Sequence, residues 1–198
     1  MTELKSRGRH RSDESERAIL TATLHLLKQQ PLRDITIEAI AREAGVGKVT
    51  IYRWWPSKAY VALDAFSKTM NKTISVPDTG NGENDLVELL RLTMNFYSST
   101  GQMFSEFLAE CKNDPQFAIV FRERFLKPRR EASREVLERA INRGEIDSAV
   151  DREVVLDMIF GPMVFRLMTG HGPLNRKEAA TMISTLFRGI ENRSSEAR

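Results

Sequence analysis

ITIEAIAREAGVGKVTIYRWWPSK, residues 35–58, is the stretch on which the fold is decided. Two short helices meet within it across only Gly45-Val46-Gly47. A corner that tight needs a small residue at the turn and another where the helices cross, and Gly45 and Ala41 supply them. Thr36 stands where a hydroxyl caps the first helix, with Glu38 in the first turn, where an acid suits the helix dipole. Ile40, Ala44, Val46 and Ile51 can fill the wedge between the two helices. The spacing is that of a helix-turn-helix: the first helix braces, and the second, from Lys48 to about Trp54, projects.

Ile51 and Trp55 are four apart and can face the core. Lys48, Val49, Tyr52 and Arg53 then lie on the opposite face, with Thr50 beside its N-terminal end. A lysine or arginine can donate to guanine O6 and N7, and apolar groups can touch thymine methyls. Phosphates would fix the register, held at helix N-termini where Thr36 and Lys58 stand. The same pattern also suits two helices of an ordinary bundle. An outward Val49 and Tyr52, neither needed for solubility, tilt the balance toward nucleic acid.

Outward from this corner the chain reads as all-α. Ser12-Asp13-Glu14 signals a helix start, and Ile19, Ala22, Leu26 and Leu27 recur on one face before Pro31. Ser57 caps a connecting helix, residues 57–74. SVPDTGNGEN, residues 75–84, is the one run of turn formers long enough for a linker. The predicted domains are therefore 1–74, with a basic arm over 1–11, and 85–198. Helices fit about 85–99, 102–111, 115–143, 151–169 and 175–192, with Asp151 and Asn175 as caps. Pro128 and Pro162 should bend or interrupt theirs.

The chain has 198 residues, 41% hydrophobic and 29% charged, the balance of a globular protein. Residues 1–60 hold eleven Lys and Arg against seven Asp and Glu; the rest hold nineteen against twenty. The positive excess thus sits in the first third, a pointer to a polyanionic partner. One cysteine, Cys111, excludes an intrachain disulfide and multi-cysteine metal sites. No apolar run suits a membrane span and the polar MTELKSRGRHRSDESER lacks a signal's apolar centre, so a cytoplasmic location is expected. His10, His25 and His171 lack metal-ligand spacing, Cys111 has no evident base, and no glycine loop cradles a phosphate. Neither catalytic residues nor a metal or cofactor is predicted.

TIEAIAREAGVGKVTIYRWWPSK resembles the DNA-binding segment of the TetR (tetracycline-repressor-like) family of bacterial regulators. Ile40-Ala41, Ala44-Gly45-Val46, Lys48, Thr50-Ile51-Tyr52, Trp54-Trp55 and Ser57-Lys58 match the family pattern in register, within a likeness reaching from about Ser12 to Leu63. Val49 stands where the family often has Gly or Ala, and Trp54 where it often has Tyr or His. The resemblance implies an N-terminal three-helix DNA-binding domain and a C-terminal helical ligand-binding and dimerisation domain, about nine helices in all. It also implies that Thr36, Tyr52 and Lys58 hold phosphates, that Lys48, Val49, Thr50 and Arg53 meet base edges, and that Trp54 packs on the sugar-phosphate backbone or else serves a half-buried structural role. Lys5, Arg7, Arg9 and Arg11 form an arm that could reach a minor groove or phosphates, or stay a solvated tail.

A family member of this kind encloses a small effector in its C-terminal domain. Met94, Tyr97, Met103, Phe104, Phe107, Leu108, Phe121 and Phe125 are the candidates to line such a cavity, and ordinary core packing would use the same residues. Apolar stripes near the C-terminus fit either a dimer's four-helix bundle or the core of one subunit. The resemblance favours the dimer, with Met158, Phe165, Met182, Ile183, Leu186, Phe187 and Ile190 at the interface. The basic run from Arg122 to Arg143 reads as a solvated face. The function so implied is a homodimeric repressor that binds a palindromic double-stranded DNA operator and is released by a small apolar effector. A sequence-neutral DNA-binding or partner-recruiting protein is the alternative.

Overall fold

The computed structural model describes residues 3–190, and side chains from residue 13 onward. The described residues contain no strand. The elements are α1 (Glu3–Gln29), a 3-10 turn (Leu32–Asp34), α2 (Ile37–Ala44), α3 (Lys48–Tyr52), α4 (Lys58–Thr73) and α5 (Gly82–Asn113). There follow α6 (Pro115–Val120), a π-helical turn (Phe121–Leu126), α7 (Lys127–Asn142), α8 (Arg152–Thr169) and α9 (Arg176–Ile190). The side chains of Lys5, Arg7, Arg9 and Arg11 lie outside the described ones.

The chain divides into two compact units. The first takes in the chain up to Thr69 together with Glu106–Phe121, so the end of α5 and α6 join the helix-turn-helix. The second consists of Met70–Ser105 and the chain from Arg122. Residues 74–81 lack helix, where turn formers are dense, but the spatial division follows packing and cuts through both α4 and α5.

In the first unit Ile19, Ile40, Ile51, Leu63, Phe66 and Phe107 are buried. Phe107 meets Phe66 edge-on at 5.4 Å between centroids, and Tyr60 meets Phe117 at 5.3 Å. In the second unit the core holds Leu86, Leu90, Met94, Leu137, Leu156 and Ile183.

Local chemistry accounts for several boundaries. The Asp151 carboxylate accepts from the amides of Glu153 and Val154, starting α8. The Asn175 side chain likewise accepts from the amide of Glu178. Two predicted helices, 85–99 and 102–111, are in fact one, α5. Gly101 does not break it: a Cβ there would overlap Leu167, so the missing side chain serves close packing against α8. The single helix predicted over 115–143 runs without a gap from Pro115 to Asn142, but its pitch changes through the π-helical turn between α6 and α7. Pro128 has no N–H to donate back along the chain, and the residues just before it take the wider π geometry. Pro162 does not end α8, which runs on to Thr169.

Candidate nucleic-acid interface and effector cavity

The corner forms as its residues dictate. The Thr36 hydroxyl accepts from the amide of Ala39 at 3.1 Å, capping α2. Gly45 closes that helix at φ 66°, a left-handed conformation that costs glycine little. The Val46 amide donates to the Ala41 carbonyl at 3.0 Å, turning the chain toward α3. Ile51 is fully buried, and Trp55 is buried with its indole N–H donating to Asp64 at 2.7 Å. Helix α3 is thereby pinned from one side only.

The other side is open. Val49 is 83% exposed and Tyr52 54%, with Lys48 and Arg53 exposed beside them. An apolar side chain that open on a short helix buries nothing in its own chain. Thr50 is half-buried, as is Trp54, which meets Trp55 edge-on at 5.4 Å. The helix ends at Tyr52, two residues short of the predicted end, and Arg53 follows as its C-cap. Two of the cations already have partners. Lys48 donates to Glu38 at 2.8 Å; this bond holds the Glu38 carboxyl below its usual pKa and raises that of Lys48. Lys58 donates to the carbonyls of Arg33 and Ile35, both at 2.7 Å. It ties the turn before α2 to the start of α4, a job that its place in the sequence did not disclose.

The second unit contains a cavity with about 670 Å³ free of atoms, open solvent at its mouth included. Of the candidate effector residues, Tyr97, Phe104 and Phe125 line it. Met94, Met103, Phe107, Leu108 and Phe121 do not. Met94 and Met103 each stand one residue, about 100° of helix, from the lining Thr93 and Phe104. Phe107, Leu108 and Phe121 belong to the first unit, where Phe107 and Phe121 both pack on Phe117. The sequence reading missed Met70 near the end of α4 and Ile74 just beyond it, Leu89 and Thr93 on α5, and Phe160 and Met163 on α8. It also missed Arg129, read as part of a solvated face. Arg129 lines the cavity, and its Nη1 is buried without a hydrogen-bond partner among the described residues. Burial pushes that guanidinium below its ordinary pKa, with Tyr97 opposing the shift. Burial also pushes the Tyr97 phenol far above its own ordinary value.

On α8 an outer row is exposed: Val154, Met158, Phe165 and Met168, with Phe165 62% open. The inner row, Val155, Ile159 and Met163, is buried. On α9 Met182, Leu186, Phe187 and Ile190 are half-buried. Ile183 is only 1% exposed, so it packs inside its own chain and is not available to a partner. Its face of α9 is the one turned to the core, together with Ala179 four residues earlier. Among the described residues no group of three His, Cys, Asp or Glu could hold a metal, and no helix is long and apolar enough to cross a membrane.

Residues 19–65 match the family described as bacterial regulatory proteins, tetR family, and residues 76–186 match the tetracyclin repressor-like C-terminal domain. An HTH-type transcriptional regulator, YdeS of Bacillus subtilis, is 34% identical over 186 residues, covering 93% of this chain and 94% of its own. The crystal structure of the TetR family transcription regulator SCO0332 is 30% identical with a TM-score of 0.80, covering 89% of this chain and 98% of its own. The regulator FadR from Bacillus subtilis, solved with stearoyl-CoA, is 18% identical with a TM-score of 0.69, covering 87% and 98%, and shares the fold.

Proposed function

We propose that this chain, which belongs to the TetR family of bacterial transcriptional regulators, acts in the cytoplasm as a homodimeric repressor whose hold on a palindromic operator is released by a small, mainly apolar effector. The observation that carries the DNA-binding reading is the outward face of α3. Val49 and Tyr52 are exposed between two cations, while Ile51 and Trp55 anchor the helix from behind. In a groove, Arg53, Lys48 and Thr50 would meet base edges and Val49 a thymine methyl. Thr36, Tyr52 and the remaining N–H of Lys58 would contact phosphates.

Two such helices read a palindrome when a two-fold axis sets them about 34–36 Å apart, one turn of DNA. The exposed row on α8, with Met182, Leu186, Phe187 and Ile190 on α9, supplies apolar surface for that axis. The cavity supports the effector reading. Its wall is mainly apolar and includes Met70, in the same helix that follows the corner. An effector that favours another separation of the recognition helices lowers operator affinity by linkage, typically about 5–150-fold.

The test is a shift assay on the DNA upstream of the chain's own gene, against shuffled sequence of equal length. The repressor reading expects preference for the former and a fall of log affinity with log salt at a slope of about −7 for about eight neutralised phosphates. Equal affinity for both would instead indicate a sequence-neutral binder.

A further inference from the structure

We propose that the effector is an amphipathic carboxylic acid, its carboxylate held by Arg129 and its apolar body laid against Phe104, Phe125, Phe160 and Met163. The inference rests on the effector-binding reading above and narrows it to a chemical class.

Two cations line the cavity, and they differ. Arg130 is spent: it donates to Glu153 and to Asp157, both at 2.6 Å. Arg129 has a buried Nη1 that donates to nothing, and no Asp or Glu is among the residues that line the cavity. Its backbone carbonyl is engaged, accepting from the Ser133 hydroxyl at 2.9 Å, so the local turn is fixed while the guanidinium end is left over. A buried donor left unmade is costly, and a buried charge without a partner more so. A solvated surface arginine would turn its head to water. Arg129 as a whole is half-buried, but its Nη1 is turned into a mainly apolar wall, where an anion of the ligand can complete it.

The stoichiometry fits one negative charge. A planar carboxylate matches the guanidinium fork, and a single cation does not balance a phosphate dianion. Apart from Ser75, Thr93 and Ser133, the rest of the wall is aromatic and aliphatic, which suits an alkyl or aryl body. The π-helical turn Phe121–Leu126 ends three residues before Arg129 and places Phe125 and Leu126 on the same wall. The feature that reshapes this helix therefore also builds the site.

The test uses the full-length protein and two matched series, the sodium salts of the straight-chain acids from hexanoate to tetradecanoate and the alcohols of the same lengths, titrated calorimetrically. The best acid should bind at least about tenfold more tightly than its alcohol. Arg129→Met should weaken the acid by about tenfold or more and leave the alcohol nearly unchanged. Arg129→Lys, which keeps the charge but loses the fork, should fall between. Unliganded Arg129→Met should melt no lower than the parent, since it removes a half-buried charge that has no ion-pair partner among the described residues. Should that variant fail to fold, the acid–alcohol ratio in the parent and the Arg129→Lys titration decide alone. Equal binding of acids and alcohols overturns the proposal, as does the absence of any acid binding, or acid affinity indifferent to Arg129→Met. The upstream-DNA shift assay on the same ligand-free preparations keeps the two readings apart. Loss of the shift with Arg129-dependent acid binding intact counts against the operator reading, and an intact shift without acid binding counts against this one.

Discussion

The ammonium of Lys48 lies 2.8 Å from the carboxylate of Glu38, so the bracing helix of the corner holds the leading cation of the projecting one. The pair is exposed and sits on the face proposed to meet DNA. It fixes the side chain's direction and partly cancels its charge. Glu38→Gln should therefore tighten binding to DNA of any sequence. The log–log salt dependence should steepen by about one per subunit. Filter binding or anisotropy over a salt series checks this, and an unaltered slope would mean that Lys48 never reaches a phosphate or base.

Arg53 caps the end of α3 and has no ion-pair partner among the described residues. Arg53→Ala should weaken specific binding by about 1–3 kcal/mol and relax one base position of the operator. Competition with single-base operator variants reads out both. A loss spread evenly over all sequences would reassign the residue to phosphate.

Phe165 stands open on α8, four residues beyond Gly161 and seven beyond Met158, which is also exposed. Because it buries little within its own chain, Phe165→Glu should leave the fold and its melting temperature nearly unchanged while placing a charge in the two-fold interface. Light scattering should then give the mass of a monomer. A dimer of unaltered stability would move the interface elsewhere.

Gly45 and Gly47 bracket the corner, yet only Gly45 has positive φ. Gly45→Ala should cost about 1–2 kcal/mol, lowering the melting temperature by roughly 2–8 °C. Gly47→Ala, in extended backbone with open space around the missing Cβ, should melt close to the parent. Equal effects of the two would remove the left-handed turn as the reason for glycine at 45.

The corner was legible in the sequence because its determinants are local. Thr36 caps a helix three residues away, Gly45 ends it, and Ile51 and Trp55 point inward by spacing alone. The cavity was only partly legible. Its wall is assembled from α4, α5, α7, α8 and the π-helical turn, and nothing in the local pattern of Met70 or Phe160 says that they meet. Richness in aromatic residues pointed to Tyr97, Phe104 and Phe125 but could not separate them from Phe107 and Phe121, which serve the other unit. Arg129 was hidden among eight cations from Arg122 to Arg143, where only packing distinguishes a half-buried guanidinium from a solvated one. Helix α8 is apolar on two sides, so periodicity could not tell its inner row, Val155 and Ile159, from its outer one, Met158 and Phe165.

The division of α3 into an anchored side and an open side has an evolutionary consequence. Ile51 and Trp55 carry its share of stability, while Val49, Tyr52 and Arg53 carry almost none. Replacements at those outward positions are thermodynamically cheap. A descendant lineage could acquire a different target sequence through a few codon changes there, without compensating mutations in the interior.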